Sequence, residues 1–288
     1  MRLHLVDGTF ELFRAHFAPR PGKVVSGIDV KATAGVVSSM LALMEDKAEA
    51  VTHLAIAFDN PIESFRNELF DGYKTGDGIA TALRSQFDLV EVAARALGIV
   101  VWSMDRWEAD DALATAATRF ATDEIEARIL TPDKDLGQVI QQGRVVQVDR
   151  IRRKVIDEAA LRARRGVGPA SIPDLLGLVG DTADGIPGLP GFGEKSAAAL
   201  LARWETIEAI PDDPATWEVK ITGAPRLAAV LRERREDALL YKKLATLVRD
   251  VPLAETLDDL IYRGAHRAPY ADLCARLEIA PRATRFRD

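Results

Sequence analysis

The chain of 288 residues contains a single cysteine, Cys274, and only four histidines. A lone cysteine excludes an intramolecular disulfide and a cysteine-built zinc site, and it suits a reducing compartment. His4, His16, His53 and His266 are too dispersed to suggest a histidine metal triad. No apolar run approaches the ~18 residues that span a bilayer, and Asp7 interrupts the N-terminal stretch before a signal-peptide core can form. There is no internal repeat and no low-complexity tract. These absences predict a cytosolic chain with no membrane partner. What is present is ordinary for a globular protein: 48% hydrophobic and 28% charged residues exclude disorder and collagen-like repeats. The 44 acidic residues against 38 basic ones give a net charge of −6, a weak argument against nucleic acid because charge can be segregated along a chain.

Short β-type runs alternate with longer helical stretches. Leu3–Val6, Leu54–Phe58, Ile99–Trp102, Arg128–Leu130 and Val145–Val148 read as strands. Thr33–Ala48, Gln86–Leu97 and Trp107–Phe120 read as helices. The alternation predicts an α/β fold with a mostly parallel central sheet flanked by helices. After about residue 158 strand signals vanish and Gly, Pro and Ala-rich helical segments take over. The expected division is therefore an α/β core over 1–158 and a helical region over 159–288, packed on the sheet with no intervening linker. Trp204, Trp217 and the apolar residues of Leu227–Leu247 read as core.

The carboxylates follow a pattern. Asp7 and Asp59 each end an apolar strand, and Asp133 and Asp135 follow a third. Open α/β sheets bind ligands beyond the carboxyl ends of their strands. Glu108 and Asp111, three apart, share the first turn of a helix, with Asp110 at its rim. Asp181 and Asp184 form another pair three apart. Any one Asp after a strand is more commonly a turn or N-cap residue, and Glu-Ala-Asp-Asp alone could simply suit a helix N-terminus. Repeated placement at strand ends shifts the reading towards a cluster, which needs cations to offset repulsion. All-oxygen sites suit Mg²⁺ or Mn²⁺, and two such ions can hydrolyse a phosphodiester.

The most specific string is Asp184-Gly185-Ile186-Pro187-Gly188-Leu189-Pro190-Gly191-Phe192-Gly193-Glu194-Lys195-Ser196. It resembles a helix–hairpin–helix element, spanning about residues 172–202. Gly188, Gly191 and Gly193 allow backbone amides to approach a phosphate, the helix opening at Lys195 and Ser196 favours an anion, and Lys195 adds a charge. A P-loop is excluded because Glu194, not Lys, follows Gly193. A helix C-cap with a tight turn is the plainer account.

Val6-Asp7-Gly8, Ala57-Phe58-Asp59, Gly72-Tyr73-Lys74, Glu108-Ala109-Asp110-Asp111, Asp133-Lys134-Asp135-Leu136 and Gly180-Asp181…Asp184 with the hairpin occur in order. Together, over about residues 1–260, they resemble the bacterial 5′→3′ exonuclease/flap endonuclease family, in particular the 5′-nuclease domain of bacterial DNA polymerase I. With no polymerase segment following, a stand-alone member is expected. The resemblance implies a PIN-like 5′-nuclease core and a structure-selective hydrolase of DNA at 5′ ends, nicks and flaps, in replication and repair. It implies that Asp7, Asp59, Glu108, Asp110, Asp111, Asp133, Asp135, Asp181 and Asp184 hold two or more Mg²⁺ or Mn²⁺ ions. It further implies that Lys74 stabilises charge on the scissile phosphate, Tyr73 offers a stacking face, Arg14 binds phosphate and the hairpin grips duplex, with K⁺ in that loop in some relatives. A monomer is expected, and an RNA–DNA primer is a further candidate substrate. Every motif position is acidic here, which favours activity.

Two departures stand out. Thr75-Gly76-Asp77-Gly78 replaces the arginine that relatives carry after the Tyr-Lys pair, with Arg84 as a candidate substitute, and Pro132 replaces a small residue. The altered segment keeps a second reading open, a catalytically silent protein that binds branched DNA. A phosphomonoesterase using Asp133 and Asp135 is a third, which leaves the hairpin without a role. From Arg144 to Arg165 there are eight basic residues against three acidic ones, a candidate phosphate track or a solvated surface in equal measure. Arg232, Arg234, Arg235, Lys242 and Lys243 read as ordinary surface.

Overall fold

The computed structural model describes residues 1–287; Asp288, the last residue of the expected helical region, lies outside the described residues. The chain runs β1 (Arg2–Asp7), α1 (Gly8–Phe17), β2 (Val24–Val25), β3 (Ile28–Asp29), α2 (Lys31–Glu45), β4 (His53–Asp59), α3 (Thr81–Arg84), α4 (Phe87–Ala96), β5 (Val100–Met104), α5 (Ala109–Phe120) and β6 (Glu126–Leu130). It continues with β7 (Val145–Asp149), β8 (Lys154–Ile156), α6 (Glu158–Arg165), α7 (Ile172–Val179), α8 (Glu194–Trp204), α9 (Ala224–Glu233), α10 (Arg235–Ala245) and α11 (Arg267–Leu277).

Six strands form one sheet in the order β5-β4-β1-β6-β7-β8. The first five are parallel and β8 runs antiparallel at the edge. The mixed α/β architecture with a mostly parallel sheet is the one expected. β1 and β4 are buried along nearly their whole length because helices cover both faces, which is why they read as continuous apolar runs. One face carries α1, α2, α4 and α11, the other α5. Among the described residues no helix is long and apolar enough to cross a membrane.

Three local differences from the sequence reading have physical causes. α2 stops at Glu45 rather than Ala48, because the Asp46 carboxylate accepts the Ala48 N–H at 2.8 Å and turns the chain. The β2–β3 hairpin, unforeseen, turns at Ser26-Gly27 with φ of 51° and 80°, the pair of positive values that a two-residue hairpin turn needs. β8 carries no strand signal in the sequence, being only three residues with one buried side chain.

The helical half has its own core around Trp217, which is fully buried and donates its indole N–H to Pro211 O at 2.7 Å. Trp204 is only half-buried, short of the core position expected. α7 and α10 approach so closely that a Cβ at Gly177 would sit 2.9 Å from Ala238 O. Lys242 and Arg235 serve this packing rather than a free surface. Lys242 binds Asp174 and Glu208 at 2.8 Å, and Arg235 donates to Ile207 O and Ile210 O. From Leu247 onward the chain returns to the α/β half: Leu247, Val251 and Leu253 join the α5 cluster, while Tyr270 and Leu273 join the α2–α4 cluster. The later part of the 159–288 stretch therefore packs against both faces of the α/β half.

Candidate active site

Parallel strands put their carboxyl ends on one edge, and the sequence ends three of them, β1, β4 and β7, in aspartate. Asp7 closes β1 and caps α1, its Oδ1 accepting the Phe10 N–H at 2.8 Å. Its Oδ2 accepts from Thr131 Oγ1 at 2.8 Å, just beyond β6. Asp59 closes β4 and accepts the Ala109 N–H at the start of α5 at 2.7 Å. Asp133 and Asp135 follow β6 in a tight turn, where the Asp135 N–H donates to Asp133 Oδ1 at 2.9 Å. The Gln147 amide from β7 holds that turn through Thr131 O at 3.0 Å and Asp133 O. Thr131 and Gln147 carry no signal in the sequence, since their role exists only once β6 and β7 are paired.

Burial drives the Asp7 carboxyl up to about 7, with Asp59 and Asp133 adding to the rise. Asp110, half-buried on the first turn of α5, is raised well above the usual carboxylate range by burial, then by Asp133, Asp7 and Asp59. Asp59 is raised mainly by burial, with Lys74 opposing and Glu108 adding to the shift. These mutual effects join Asp7, Asp59, Asp110 and Asp133 in one electrostatic group.

A second group lies beside it. One carboxylate oxygen from each of Asp135, Asp181 and Asp184 falls within 4.8 Å of the others. Asp135 is raised well above its ordinary value by burial and then by Asp133, Asp184 and Asp181, and its Oδ1 is buried without a hydrogen-bond partner. An orphaned carboxylate oxygen facing other acids fits a hard cation. Lys134 pairs with Asp181 at 2.5 Å.

Lys74 stands between the two groups. Its ammonium contacts Glu108 Oε2 and Asp184 Oδ1, each at 2.9 Å. Burial works against its charge, but Glu108, Tyr73, Asp184 and Asp59 raise its pKa well above the ordinary lysine value. Glu108 is likewise opposed by burial, yet Lys74 and Arg66 pull its pKa below the usual range. Ser64 Oγ adds a hydrogen bond to Glu108 Oε1 at 2.7 Å.

Three expected site residues are placed differently. Asp111 is fully buried and turned away from the group around Asp110, held bidentate by Arg66 at 2.7 and 2.8 Å and by the N–H groups of Glu108 and Val248. Tyr73 offers no stacking face, because its ring is packed in the helical-half core and its hydroxyl donates to Glu108 at 3.3 Å. Arg14 binds Glu11 and Ser39 in a separate cavity between α1 and α2. Arg66, which the sequence left unmarked, is the buried counter-ion that this density of acid demands. Nothing in a lone arginine on the 3₁₀ turn Phe65–Glu68 announced where it would point.

The hairpin joins α7 to α8 and meets the site directly. Lys74 N–H donates to Asp184 O at 3.0 Å, and Asp181 and Ile186 exchange two backbone hydrogen bonds at 2.8 Å. Gly188, at φ 68°, lies so near Val179 and Gly180 that a Cβ would be 2.4 Å from Gly180 N. Ser196 Oγ accepts the Gly193 N–H at 3.1 Å, Gly191 is exposed, and Lys195 projects to solvent from the first turn of α8. Arg84 donates to Gly76 O, which ties its guanidinium to the Thr75–Gly78 loop. In the basic stretch, Arg152 and Arg162 pair with Asp149 and Glu158, whereas Arg153, Lys154 and Arg164 are exposed.

Two protein-family models match the chain, a 5′-3′ exonuclease N-terminal resolvase-like domain over residues 2–166 and a 5′-3′ exonuclease C-terminal SAM fold over residues 167–268. DNA polymerase I of Bacillus caldotenax is 35% identical over 272 residues, covering 92% of this chain and 30% of that protein. DNA polymerase I of Pseudomonas aeruginosa is 34% identical over 285 residues, covering 96% and 30%. The chain thus spans 30% of the length of these relatives. Among solved structures, the T5 D15 protein co-crystallised with metal ions superposes with a TM-score of 0.68 at 18% identity, over 96% of this chain and all of that one. The catalytic core of Rad2 with DNA substrate gives 0.59 at 14% identity, over 96% and 88%. At these identities the structural likeness is one of fold.

Proposed function

Because the chain belongs to the 5′-3′ exonuclease family, we propose that its acidic cluster is the divalent-metal centre of a phosphodiesterase that trims DNA at 5′ ends, nicks and flaps. The observation that carries this reading is the pairing of two carboxylate groups across Lys74, with Asp135 Oδ1 left without a partner. Asp7, Asp59, Asp110 and Asp133 would hold one Mg²⁺ or Mn²⁺, and Asp135, Asp181 and Asp184 another. Glu108 orients Lys74. Bound ions of this kind activate water and offset charge on the leaving oxygen. The chain's own contribution is placement: strand ends and helix N-termini fix the acids, and Lys74 keeps its proton to face the scissile phosphate. The hairpin, with Lys195 and the amides near Gly191 and Gly193, grips the sugar-phosphate chain, and specificity follows duplex shape more than base identity. A K⁺ ion in the hairpin, an RNA 5′ end as substrate and a monomeric state belong to the same proposal.

A flap duplex labelled at its 5′ end tests it. Mg²⁺ or Mn²⁺ should release short labelled products and EDTA should stop release. Asp110→Asn should slow cleavage by at least roughly a hundredfold while duplex binding persists. An Asp110→Asn protein that cuts at the parent rate removes the metal assignment. A parent that binds the flap but never cuts it establishes the silent-binder reading, which the Thr75–Gly78 loop motivates.

A further inference from the structure

β7 carries an uncharged polar side chain in an otherwise apolar, buried run. Gln147 lies in Val145-Val146-Gln147-Val148 and is only 2% exposed. An amide in such a place loses its water and must find partners within the protein. Its partners lie beyond the neighbouring strand. Register pairs Gln147 with Ile129 of β6. The side chain reaches past the end of β6 to donate to Thr131 O at 3.0 Å and to Asp133 O. These two carbonyls flank Pro132, which has no N–H of its own to give the turn.

The turn that Gln147 holds feeds both acidic groups. Asp133 acts on Asp7 and Asp110, whereas Asp135 gathers with Asp181 and Asp184. The other hydrogen bonds of the turn run through side chains of the site itself. Asp133 N–H donates to Thr131 Oγ1 at 3.2 Å, and that hydroxyl donates to Asp7 Oδ2 at 2.8 Å. Asp135 N–H donates to Asp133 Oδ1 at 2.9 Å. The last two bonds draw on carboxylate oxygens, the atoms that a hard cation takes. The bonds from Gln147 end on carbonyls and leave every carboxylate oxygen free.

We propose that Gln147 is a positioning residue: from β7 it fixes the Thr131–Asp135 turn and so sets the spacing between the two carboxylate groups before any cation arrives. The assignment rests on the metal-centre reading of those groups. Ligands oriented by an outer layer of hydrogen bonds lose about 10–100-fold in metal affinity or activity when that layer is cut. Gln147 bonds only to backbone carbonyls of the turn. Its effect therefore belongs in metal affinity and kcat, and not in the grip on the duplex, which the hairpin supplies.

Mn²⁺ titrated into the protein without DNA, followed by loss of the free-ion EPR signal, reads the site apart from cleavage. Gln147→Met removes both donors while keeping side-chain length and burial. It should bind Mn²⁺ about tenfold more weakly and melt within a few degrees of the parent in EDTA. On the flap substrate its kcat should fall with KM little changed. Pro132→Gly frees φ but leaves both carbonyls to Gln147, so it should keep the parent's Mn²⁺ affinity. Parent-like Mn²⁺ binding by Gln147→Met overturns the proposal. A loss in Pro132→Gly as large as that in Gln147→Met also overturns it, by giving the turn to proline. A Gln147→Met chain that melts far below the parent in EDTA makes Gln147 a residue of the fold and overturns the positioning role. A parent that binds Mn²⁺ but never cleaves, with Gln147→Met still weakened, sinks the nuclease reading and leaves the positioning role standing. A parent that binds no Mn²⁺ overturns both.

Discussion

Asp110 and Asp111 are neighbours in the chain with opposite duties. Consecutive helical side chains diverge by about 100°, so Asp110 turns towards Asp7 and Asp133 while Asp111 turns inward to Arg66. The sequence placed Glu108 and Asp111 on one helix face, and they do meet: Asp111 Oδ2 accepts the Glu108 N–H at 3.0 Å, and Arg66 lies 3.3 Å from Glu108 Oε1. Arg66 also donates to Leu244 O and Thr246 O, so one guanidinium ties the 3₁₀ turn, the start of α5 and the end of α10 together. Removing one partner of a buried ion pair strands the other charge. Arg66→Met should therefore cost about 3–5 kcal/mol in urea unfolding, and cleavage should fall because Glu108 loses a support. Arg66→Met with Asp111→Leu should be more stable than Arg66→Met alone, since no orphan carboxylate remains. A double variant no better than the single would show that the carbonyl contacts, and not the ion pair, dominate.

At the scale of elements, the hairpin was legible because its glycines are forced by backbone geometry, whereas its docking onto Lys74 was not. Gly185 adopts φ 74°, and a Cβ there would lie 2.1 Å from Gly72 O. That contact sets Asp184 against Lys74, a pairing between segments more than a hundred residues apart that no local pattern encodes. Gly185→Ala combines a left-handed penalty of about 1–2 kcal/mol with a backbone clash, and only withdrawal of the hairpin relieves the clash. The expected result is a lower kcat on the flap substrate, with a smaller change in KM because Lys195 and the exposed amides still meet the duplex. Gly22→Ala is the control, since a Cβ there has open space and no positive φ. A Gly185→Ala protein with parent kcat would show that the hairpin and the Lys74 segment are not coupled.

For the molecule as a whole, alternating apolar strands and helices announced the sheet, and the sheet's polarity announced an acidic edge. What could not be read was which acids stay charged, because that depends on long-range neighbours such as Thr131, Arg66 and Lys74. Asp149, also at a strand end, turns out to serve only its own turn by accepting from Ile151 and Arg152. The metal centre instead stores unfavourable charge, and its sign predicts a pH dependence. Burial, reinforced by Asp59 and Asp133, raises Asp7 from 3.8 to about 7, and burial raises Asp59, Asp110, Asp135 and Asp184 as well. A raised carboxyl pKa means that the folded chain binds more protons than the unfolded chain between pH 4 and 7. The stabilisation it brings is complete below about pH 4 and is lost as pH rises through 7. Treated as a single group, Asp7 alone accounts for about 4 kcal/mol, on the order of 10 °C in Tm for a chain of this size. Thermal melts in EDTA should therefore show the site's contribution falling from pH 5 to pH 8. Saturating Mn²⁺ should remove that fall, because the cation replaces the protons and binds only the folded site. Asp110→Asn should melt above the parent at pH 8 in EDTA and gain less from Mn²⁺. A parent Tm that rises from pH 5 to pH 8 without metal, or an Asp110→Asn protein that melts below the parent at pH 8, would mean that the acids are already balanced by the protein.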